Sequence, residues 1–280
     1  MTYKKSLRLG YSTCPNDTFI FYALAHNLID CEGFEFKIEL QDVETLNQQA
    51  KTCMIDISKL SFAAMGHLHD KYGLLHTGAA LGRGCGPLIV ARPGAKLVQL
   101  ESNRIAVPGL WTTACMLLGL FISGKPDAVP LPFDKIMPAI QKGDFDFGVI
   151  IHEGRFTFKQ YGLVKLLDLG KWWESETSLP IPLGGIAIRR DLGKKTAKIV
   201  NTAINASVKY AFNNRSKTDQ YIKNHAQEME QSVIRQHIDL YVNDFTLDLG
   251  DEGAEAVEKL FFIARNRGVI PKSDLPVFAF

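Results

Sequence analysis

The feature that most constrains the fold is an alternation of strand-like and helix-like segments that starts at the beginning of the chain. Alternating β and α units predict a mainly parallel sheet with helices on its faces. The strand-like segments are residues 7–13, 34–42 and 56–60, and the helix-like segments are 17–29, 43–53 and 62–72.

A second set of the same kind follows the Gly-rich stretch at 82–94. Its strand-like segments are 104–109, 128–133 and 146–152, and its helix-like segments are 112–123 and 134–143. Gly143 suits the end of the last of these helices. After a strand at 179–191 the chain is predicted to be helical at 194–214, 218–226, 231–243 and 251–266.

Two segments resemble each other and indicate two similar lobes. Residues 51–61 (KTCMIDISKLS) and 141–152 (QKGDFDFGVIIH) each run from a helix end through Asp into a short strand that finishes on a polar residue. Gly/Pro-flanked strands near 86–91 and 183–188 would carry the chain between the lobes. The ligand is then expected between the lobes, at the carboxyl ends of the strands. The predicted lobes are lobe one at 1–88 plus 187–280 and lobe two at 89–186.

Composition excludes several classes of protein. A net charge of +2 gives no basis for binding nucleic acid or a membrane surface, and the longest apolar stretch (116–122) is too short to span a bilayer. The N-terminus has no apolar signal-peptide core, which favours a cytoplasmic protein. Five scattered cysteines without CxxC or Cys/His spacing predict neither disulfides nor a metal site. The sequence makes no prediction of oligomeric state.

Two predicted helix starts face the expected cleft. Ser61 precedes FAAMGHL and Thr113 precedes ACMLLG, so each is placed as an N-cap. Capping alone would explain either residue. Two helix N-termini from opposite lobes would also bind a carboxylate or another small anion. The Gly-rich run GRGCG (82–86) precedes a strand and is a weak phosphate signal.

His152 is the strongest candidate for a catalytic residue. It closes an apolar strand and is followed by Glu153, so it is either a structural histidine or a general base at the cleft mouth. Cys14 is a possible nucleophile at a helix start, but no base lies near it in sequence. Trp172 and Trp173 would either line a flat substrate or pack inside the protein.

The remaining histidines give weaker signals. His67 and His69 are two apart on a predicted helix and make a poor ligand pair. We predict His26, His225 and His237 to be surface or packing residues.

The short polar segment TCPND at 13–17 is predicted to be a turn followed by a helix cap. Pro15 suits the turn, and Asn16 or Asp17 suits the N-cap. Since this polar segment follows the first strand, Asn16 is expected to line the cleft.

Motifs along nearly the whole chain resemble one enzyme family. They are STCPNDTFIFYAL, DVETLN, KLSFAA, GRGCGPLIVAR, WTTA, IIHEGRFTF, GLVKLLDLGKWW and LPIPLGGIAIRRDLG. Together they resemble the 1,4-dihydroxy-6-naphthoate synthases of the menaquinone pathway, which act on cyclic dehypoxanthine futalosine. Leu110-Trp111, directly before Thr112 at the tip of this helix start, departs from the family pattern.

The resemblance implies a type 2 periplasmic-binding-protein-like α/β fold, with two sheets, a cleft between lobes and a helical C-terminal region. It implies a lyase without metal or organic cofactor that acts on a small carboxylated substrate. His152 would be the proton acceptor. The substrate-binding residues would be Lys59, Leu60, Ser61, Thr113 and Ala114. The alternatives are the related chorismate dehydratase of the same pathway and a non-catalytic small-anion-binding protein.

Overall fold

The strands form two separate mixed sheets. The structure is a computed structural model and describes residues 4–122, 125–227 and 230–280. The strands are β1 (Lys5–Tyr11), β2 (Phe34–Leu40), β3 (Ile57–Ser61), β4 (Tyr72–Leu74), β5 (Ala80–Gly82), β6 (Leu88–Ala91), β7 (Ile105–Val107), β8 (Ala128–Pro130), β9 (Phe147–Ile150), β10 (Val164–Asp168) and β11 (Ile181–Arg189).

Each sheet combines parallel and antiparallel pairs. The first has the order β2-β1-β3-β11-β4 with β5 also on β11, and the second has the order β10-β6-β9-β7-β8. In the first sheet β1 pairs in parallel with β2 and β3, whereas β11 is antiparallel to its neighbours. In the second, β7 is parallel to β8 and β9, and β6 is antiparallel to β9 and β10. The expected α/β class with two mixed sheets is therefore confirmed.

The strands predicted to carry the chain between lobes are β6 and β11. The strand β6 belongs to the second sheet and β11 to the first. The lobe boundaries at 88/89 and 186/187 stay a prediction.

Helices cover both sheets and make up most of the last third of the chain. They are α1 (Pro15–Ala25), α2 (Val43–Lys51), α3 (Phe62–His67), α4 (Thr113–Phe121), α5 (Phe133–Lys142), α6 (Gly154–Thr157), α7 (Leu169–Thr177), α8 (Gly193–Asn213), α9 (Arg215–His225), α10 (Gln231–Tyr241), α11 (Asp244–Leu247) and α12 (Gly250–Asn266). Short 3₁₀ helices lie at Leu97–Ser102, Phe158–Tyr161 and Arg190–Leu192.

Local signals explain several helix ends. Asp42 caps α2 by accepting hydrogen bonds from the backbone N–H groups of Glu44 and Thr45. Gly143 ends α5 in the left-handed conformation, with φ 91°, as predicted. On α12, full burial of Ala256, Leu260 and Ala264 marks the apolar face that packs on the core.

The start of α1 differs from the prediction. The helix begins at Pro15, with Cys14 at the N-cap position, so neither Asn16 nor Asp17 is the cap. Proline fits the first helical position because its fixed φ is already helical and its missing N–H has no intrahelical partner there. Asn16 and Asp17 lie in the first turn and are buried.

The predicted helix at 62–72 was too long. The helix α3 ends at His67, and Tyr72 begins β4. Pairing with β11 overrides helical propensity here, and the Tyr72 hydroxyl donates to the Ile55 carbonyl at 2.5 Å. His76 lies in a bend after β4, stacked on Phe278. The predicted helix end at Ser123 lies outside the described residues.

In the part of the chain that the structure describes, no helix is both long enough and apolar enough to cross a membrane.

Candidate active site

A cavity lies between the two sheets, where β1, β3, β7 and β9 end. Ligand sites in two-layered α/β proteins commonly lie at the carboxyl ends of strands, so this cavity is the candidate site. Its walls come from the segments that follow these strands, from the start of β11 and from the end of α10. The topology therefore brings both halves of the chain to one site.

The structure brings all of the predicted site residues to this cavity. They are Asn16, Lys59, Leu60, Ser61, Thr113, Ala114 and His152. Their roles in binding and catalysis stay predictions. Among the described residues, no group of three or more His, Cys, Asp or Glu side chains is arranged to hold a metal ion.

His152 lies directly after β9 and projects from an unusual backbone. Its φ of 53° is in the left-handed region, which non-glycine residues adopt rarely. The imidazole ring packs edge-on against Phe133, with 5.1 Å between ring centroids, and its Nδ1 lies 3.4 Å from the Cys14 sulfur. Contacts from both halves of the chain therefore fix the ring.

Burial lowers the pKa of His152, although the neighbouring Glu153 carboxylate raises it and partly opposes that shift. The imidazole is therefore neutral at physiological pH. A neutral imidazole can accept a proton, as a general base must.

Cys14 does not fit the role of a nucleophile. Burial raises its pKa well above the ordinary thiol value, and the Glu153 carboxylate raises it further. The thiolate is the nucleophilic form, and this environment disfavours it. No base lies near Cys14 in the sequence, whereas the fold places His152 against it. We assign this thiol to packing against the His152 ring.

Ser61 occupies the N-cap position of α3 but does not cap it. Its Oγ accepts a hydrogen bond from Asn47 Nδ2 at 3.3 Å, and Asn47 Oδ1 accepts from the Ser61 N–H at 3.1 Å. The proton of the Ser61 hydroxyl is donated to no described residue. It remains available to a ligand in the cavity.

The cap of α4 is Thr112 rather than Thr113. Thr112 Oγ1 accepts from the Cys115 N–H at 3.3 Å. Thr113 Oγ1 donates to the Leu183 carbonyl at 2.6 Å and accepts from the Ala63 N–H at 3.3 Å. The Thr113 hydroxyl thus joins α4 to the first sheet. The backbone N–H groups of Thr113 and Ala114 hydrogen-bond to no described residue.

A buried ion pair forms the floor of the cavity. Lys59 Nζ lies 3.1 Å from Asp17 Oδ1 and donates to the Gly78 carbonyl at 2.8 Å. Asp17 also accepts from the N–H and hydroxyl of Ser12 and from Asn16 Nδ2. Both charges are therefore paired and hydrogen-bonded, as burial requires.

Sequence reasoning missed two residues of the wall, His237 and Tyr241 on α10. His237 was expected at the surface or in packing, but it is 1% exposed, and its Nε2 lies 3.0 Å from Asn16 Oδ1. The spacing of Ile234, His237, Ile238 and Tyr241 is a usable signal, since it places a histidine on the buried face of an amphipathic helix.

The Gly-rich run at 82–86 is held by Arg155. Its guanidinium donates to the carbonyls of Gly84 and Gly86 at 2.6 and 2.5 Å and pairs with Asp168 at 2.6 Å. A side chain on Gly86 would lie 2.3 Å from the Gly170 backbone, so glycine is required there. The run is thus a structural loop whose carbonyls are occupied by Arg155.

Neither Trp172 nor Trp173 lines the cavity. Trp173 is buried and donates its indole N–H to the Pro180 carbonyl, and Trp172 packs edge-on against Phe121. Both tryptophans pack within the protein.

The fold and the cavity between its two sheets define an α/β protein with the periplasmic-binding-protein-like architecture. The alkanesulfonate-binding protein SsuA from Xanthomonas axonopodis superposes with a TM-score of 0.72 at 14% identity, covering 97% of this chain and 96% of that one. A crystal structure of a protein from Archaeoglobus fulgidus superposes with a TM-score of 0.88 at 34% identity, covering 95% and 98% of the two chains.

Residues 7–266 match the protein family described as "Menaquinone biosynthesis". Two curated relatives are named 1,4-dihydroxy-6-naphthoate synthase. The one from Thermus thermophilus is 46% identical and spans 98% of this chain and 99% of its own. The one from Streptomyces coelicolor is 40% identical and spans 98% of both chains. The chain therefore belongs to the menaquinone biosynthesis family and is an enzyme of that pathway.

Proposed function

We propose that the protein is a lyase that converts cyclic dehypoxanthine futalosine to 1,4-dihydroxy-6-naphthoate. The observation that carries the proposal is the neutral His152 imidazole at the wall of a cavity that is also lined by every substrate-binding residue predicted from the family resemblance. The names of the two curated relatives, each matching along nearly the full chain, support the same activity. The cytoplasmic location stays a prediction.

In the proposed reaction His152 removes a proton from a carbon next to the substrate ketone. The electron pair of the C–H bond becomes a double bond of the ring while the bond that joins the ring to the furanose portion breaks. The electron pair of that bond leaves with the furanose portion, which takes up a proton, and the ring becomes aromatic. Aromatisation supplies the driving force, so the main requirement is a positioned base with a suitable pKa. The left-handed backbone and the contacts with Phe133 and Cys14 provide that position.

Donors for the substrate carboxylate come from the start of α4 and from Ser61. The N–H groups of Thr113 and Ala114 are the unpaired donors of a nine-residue helix, whose N-terminal end favours an anion. The Ser61 hydroxyl adds a third donor. Lys59 contributes little net charge because Asp17 neutralises it, so we assign it to shaping the floor.

The test is the substitution His152→Asn, chosen because asparagine tolerates the left-handed backbone that His152 adopts. With the base removed we expect kcat to fall by about 100-fold or more, since general bases typically contribute roughly 10²–10⁴-fold. The measurement is formation of 1,4-dihydroxy-6-naphthoate by the purified enzyme.

His26→Asn is the matched control, because His26 is exposed and lies outside the cavity. Its turnover should equal that of the wild type. Wild-type turnover by a folded His152→Asn variant would contradict the mechanism. Stoichiometric binding of the substrate by the wild type without consumption would instead favour a binding protein, and conversion of chorismate would favour the dehydratase.

A further inference from the structure

His237 has a place in the cavity wall but no part in the reaction described above. Its side chain is 1% exposed, and its ring lies near those of Tyr241 and His152, with centroid distances of 4.6 and 6.0 Å. All three rings line the cavity. Nε2 of His237 bonds to Asn16, while its Nδ1 is buried and hydrogen-bonds to no described residue.

The tautomer of His237 follows from a chain of contacts that starts at Asp17. The Asp17 carboxylate, paired with Lys59, can only accept hydrogen bonds, so the amide nitrogen of Asn16 must face it, at 2.8 Å. The amide oxygen of Asn16 then faces His237 at 3.0 Å. That oxygen can only accept, so the proton of the His237 imidazole resides on Nε2.

The Nδ1 atom of His237 is therefore a lone-pair acceptor. Burial lowers the pKa of His237 well below its ordinary value, and the nearby His152 lowers it further, so the ring stays neutral. An unpaired buried acceptor is unfavourable because its lost hydration is not replaced, and each such group in a folded protein needs an explanation. A ligand donor in the cavity supplies one.

We propose that His237 is a specificity-determining residue whose Nδ1 accepts a hydrogen bond from a hydroxyl group of the substrate, with Asn16 as the positioning residue that fixes its tautomer. This inference rests on the proposed function, because the sugar portion of that substrate carries the hydroxyl donors. A neutral acceptor prefers a hydroxyl to a carboxylate, so His237 also discriminates between the two ends of the substrate.

A pair of amide substitutions separates this role from simple packing. In His237→Asn the amide oxygen can take the place of Nδ1, whereas in His237→Gln the amide reaches the position of Nε2 and can keep only the contact with Asn16. We expect His237→Gln and His237→Phe to raise KM for cyclic dehypoxanthine futalosine by roughly 5- to 150-fold, with a smaller effect on kcat. His237→Asn should keep KM within a few-fold of the wild type.

If the contact with Asn16 were the important one, His237→Gln would be the milder variant, and that order overturns the proposal. Equal KM values for wild type, His237→Gln and His237→Phe, all shown to be folded by thermal unfolding, also overturn it. A wild type that does not consume the substrate refutes the proposed function instead, and the tautomer is then tested separately.

That separate test is nitrogen NMR of the free protein labelled at its histidines. We expect His237 to be neutral with its proton on Nε2, and Asn16→Leu to remove the preference for this tautomer. A proton on Nδ1 in the free wild-type protein would overturn the assignment of the acceptor. If His237 were only structural, variants that change its tautomer would not change KM.

Discussion

At the scale of single residues, the pH behaviour of the site depends on two neighbours, His152 and Glu153. Burial lowers the pKa of the His152 imidazole, and the Glu153 carboxylate partly offsets this because it stabilises the protonated ring. The base is active when neutral, so kcat/KM should rise with pH through the His152 pKa. That rise should lie below the ordinary histidine value of about 6.5.

In the Glu153→Gln variant, the rise of kcat/KM with pH should occur at lower pH than in the wild type. Removing the carboxylate takes away the main group that raises the His152 pKa, so the ring loses its proton at a lower pH than in the wild type. The measurement is the pH dependence of kcat/KM in product formation. Glu153→Asp keeps the charge, so kcat/KM should rise at nearly the same pH as in the wild type. A shift to higher pH in Glu153→Gln would contradict the assignment.

Sequence reasoning found those residues of the site that lie at strand ends and helix starts. Ser61 ends β3, and Thr113 and His152 come after β7 and β9, so all three lie toward the carboxyl ends of strands, where ligands of α/β proteins bind. It did not place His237 at the site, because His237 is more than 80 residues from His152 in the chain and only the tertiary fold brings the two together. It also could not show that the Thr113 hydroxyl bonds to Leu183 and Ala63, because those contacts join distant segments.

At the scale of secondary-structure elements, Arg155 and Asp168 join three segments around the cavity. Asp168 accepts from the N–H groups of Gly170 and Lys171 and so caps α7, and it also pairs with Arg155. Arg155 in turn holds the Gly-rich run at 82–86. Losing Asp168 would leave the largely buried Arg155 charge without its partner, and losing Arg155 would leave the Asp168 charge and the Gly84 and Gly86 carbonyls unpaired.

Asp168→Asn should therefore destabilise the protein by about 3–5 kcal/mol, the usual cost of breaking a buried ion pair from one side. Asp146→Asn is the matched control, because the Arg92–Asp146 pair is half-exposed and should contribute less than about 1 kcal/mol. Urea unfolding of both variants gives the two free energies. Equal losses in the two variants would contradict this account of the loop.

Element types were predicted better than element ends. The alternating segments gave β1, β2, β3 and the helices between them, because their patterns reflect burial on one or both faces. The short strand β4 was missed and assigned to a helix, because three residues carry no periodicity and their conformation depends on pairing with β11.

At the scale of the whole molecule, each half of the chain supplies part of the cavity wall. The first sheet contributes Ser61, α10 contributes His237, and the second sheet contributes His152 and the start of α4. Most of these side chains are buried in the described conformation. A substrate bound there contacts both sheets and stabilises them together.

Binding of 1,4-dihydroxy-6-naphthoate should thus slow amide hydrogen exchange in both halves of the chain. We expect added protection at the starts of α3 and α4 and along α10, because ligand binding lowers the population of locally open states. Mass spectrometry of peptides from the free and product-bound protein measures this. Protection confined to one sheet would show that the product does not bridge the cavity.

The overall architecture was predictable because two sets of strands and helices, each ending in a polar residue, recur along the chain. Their pairing order was not, because β11 joins the first sheet from a position more than 100 residues after β3. Such long-range antiparallel pairing leaves no mark in local sequence periodicity.

The left-handed backbone at His152 also offers a criterion for interpreting distant relatives. Asparagine, aspartate and glycine adopt a φ near 53° far more readily than β-branched residues do. A lineage that abandons catalysis but retains ligand capture should therefore drift toward those three residues at this position. Valine, isoleucine or threonine there would instead indicate that the turn after β9 has itself been rebuilt.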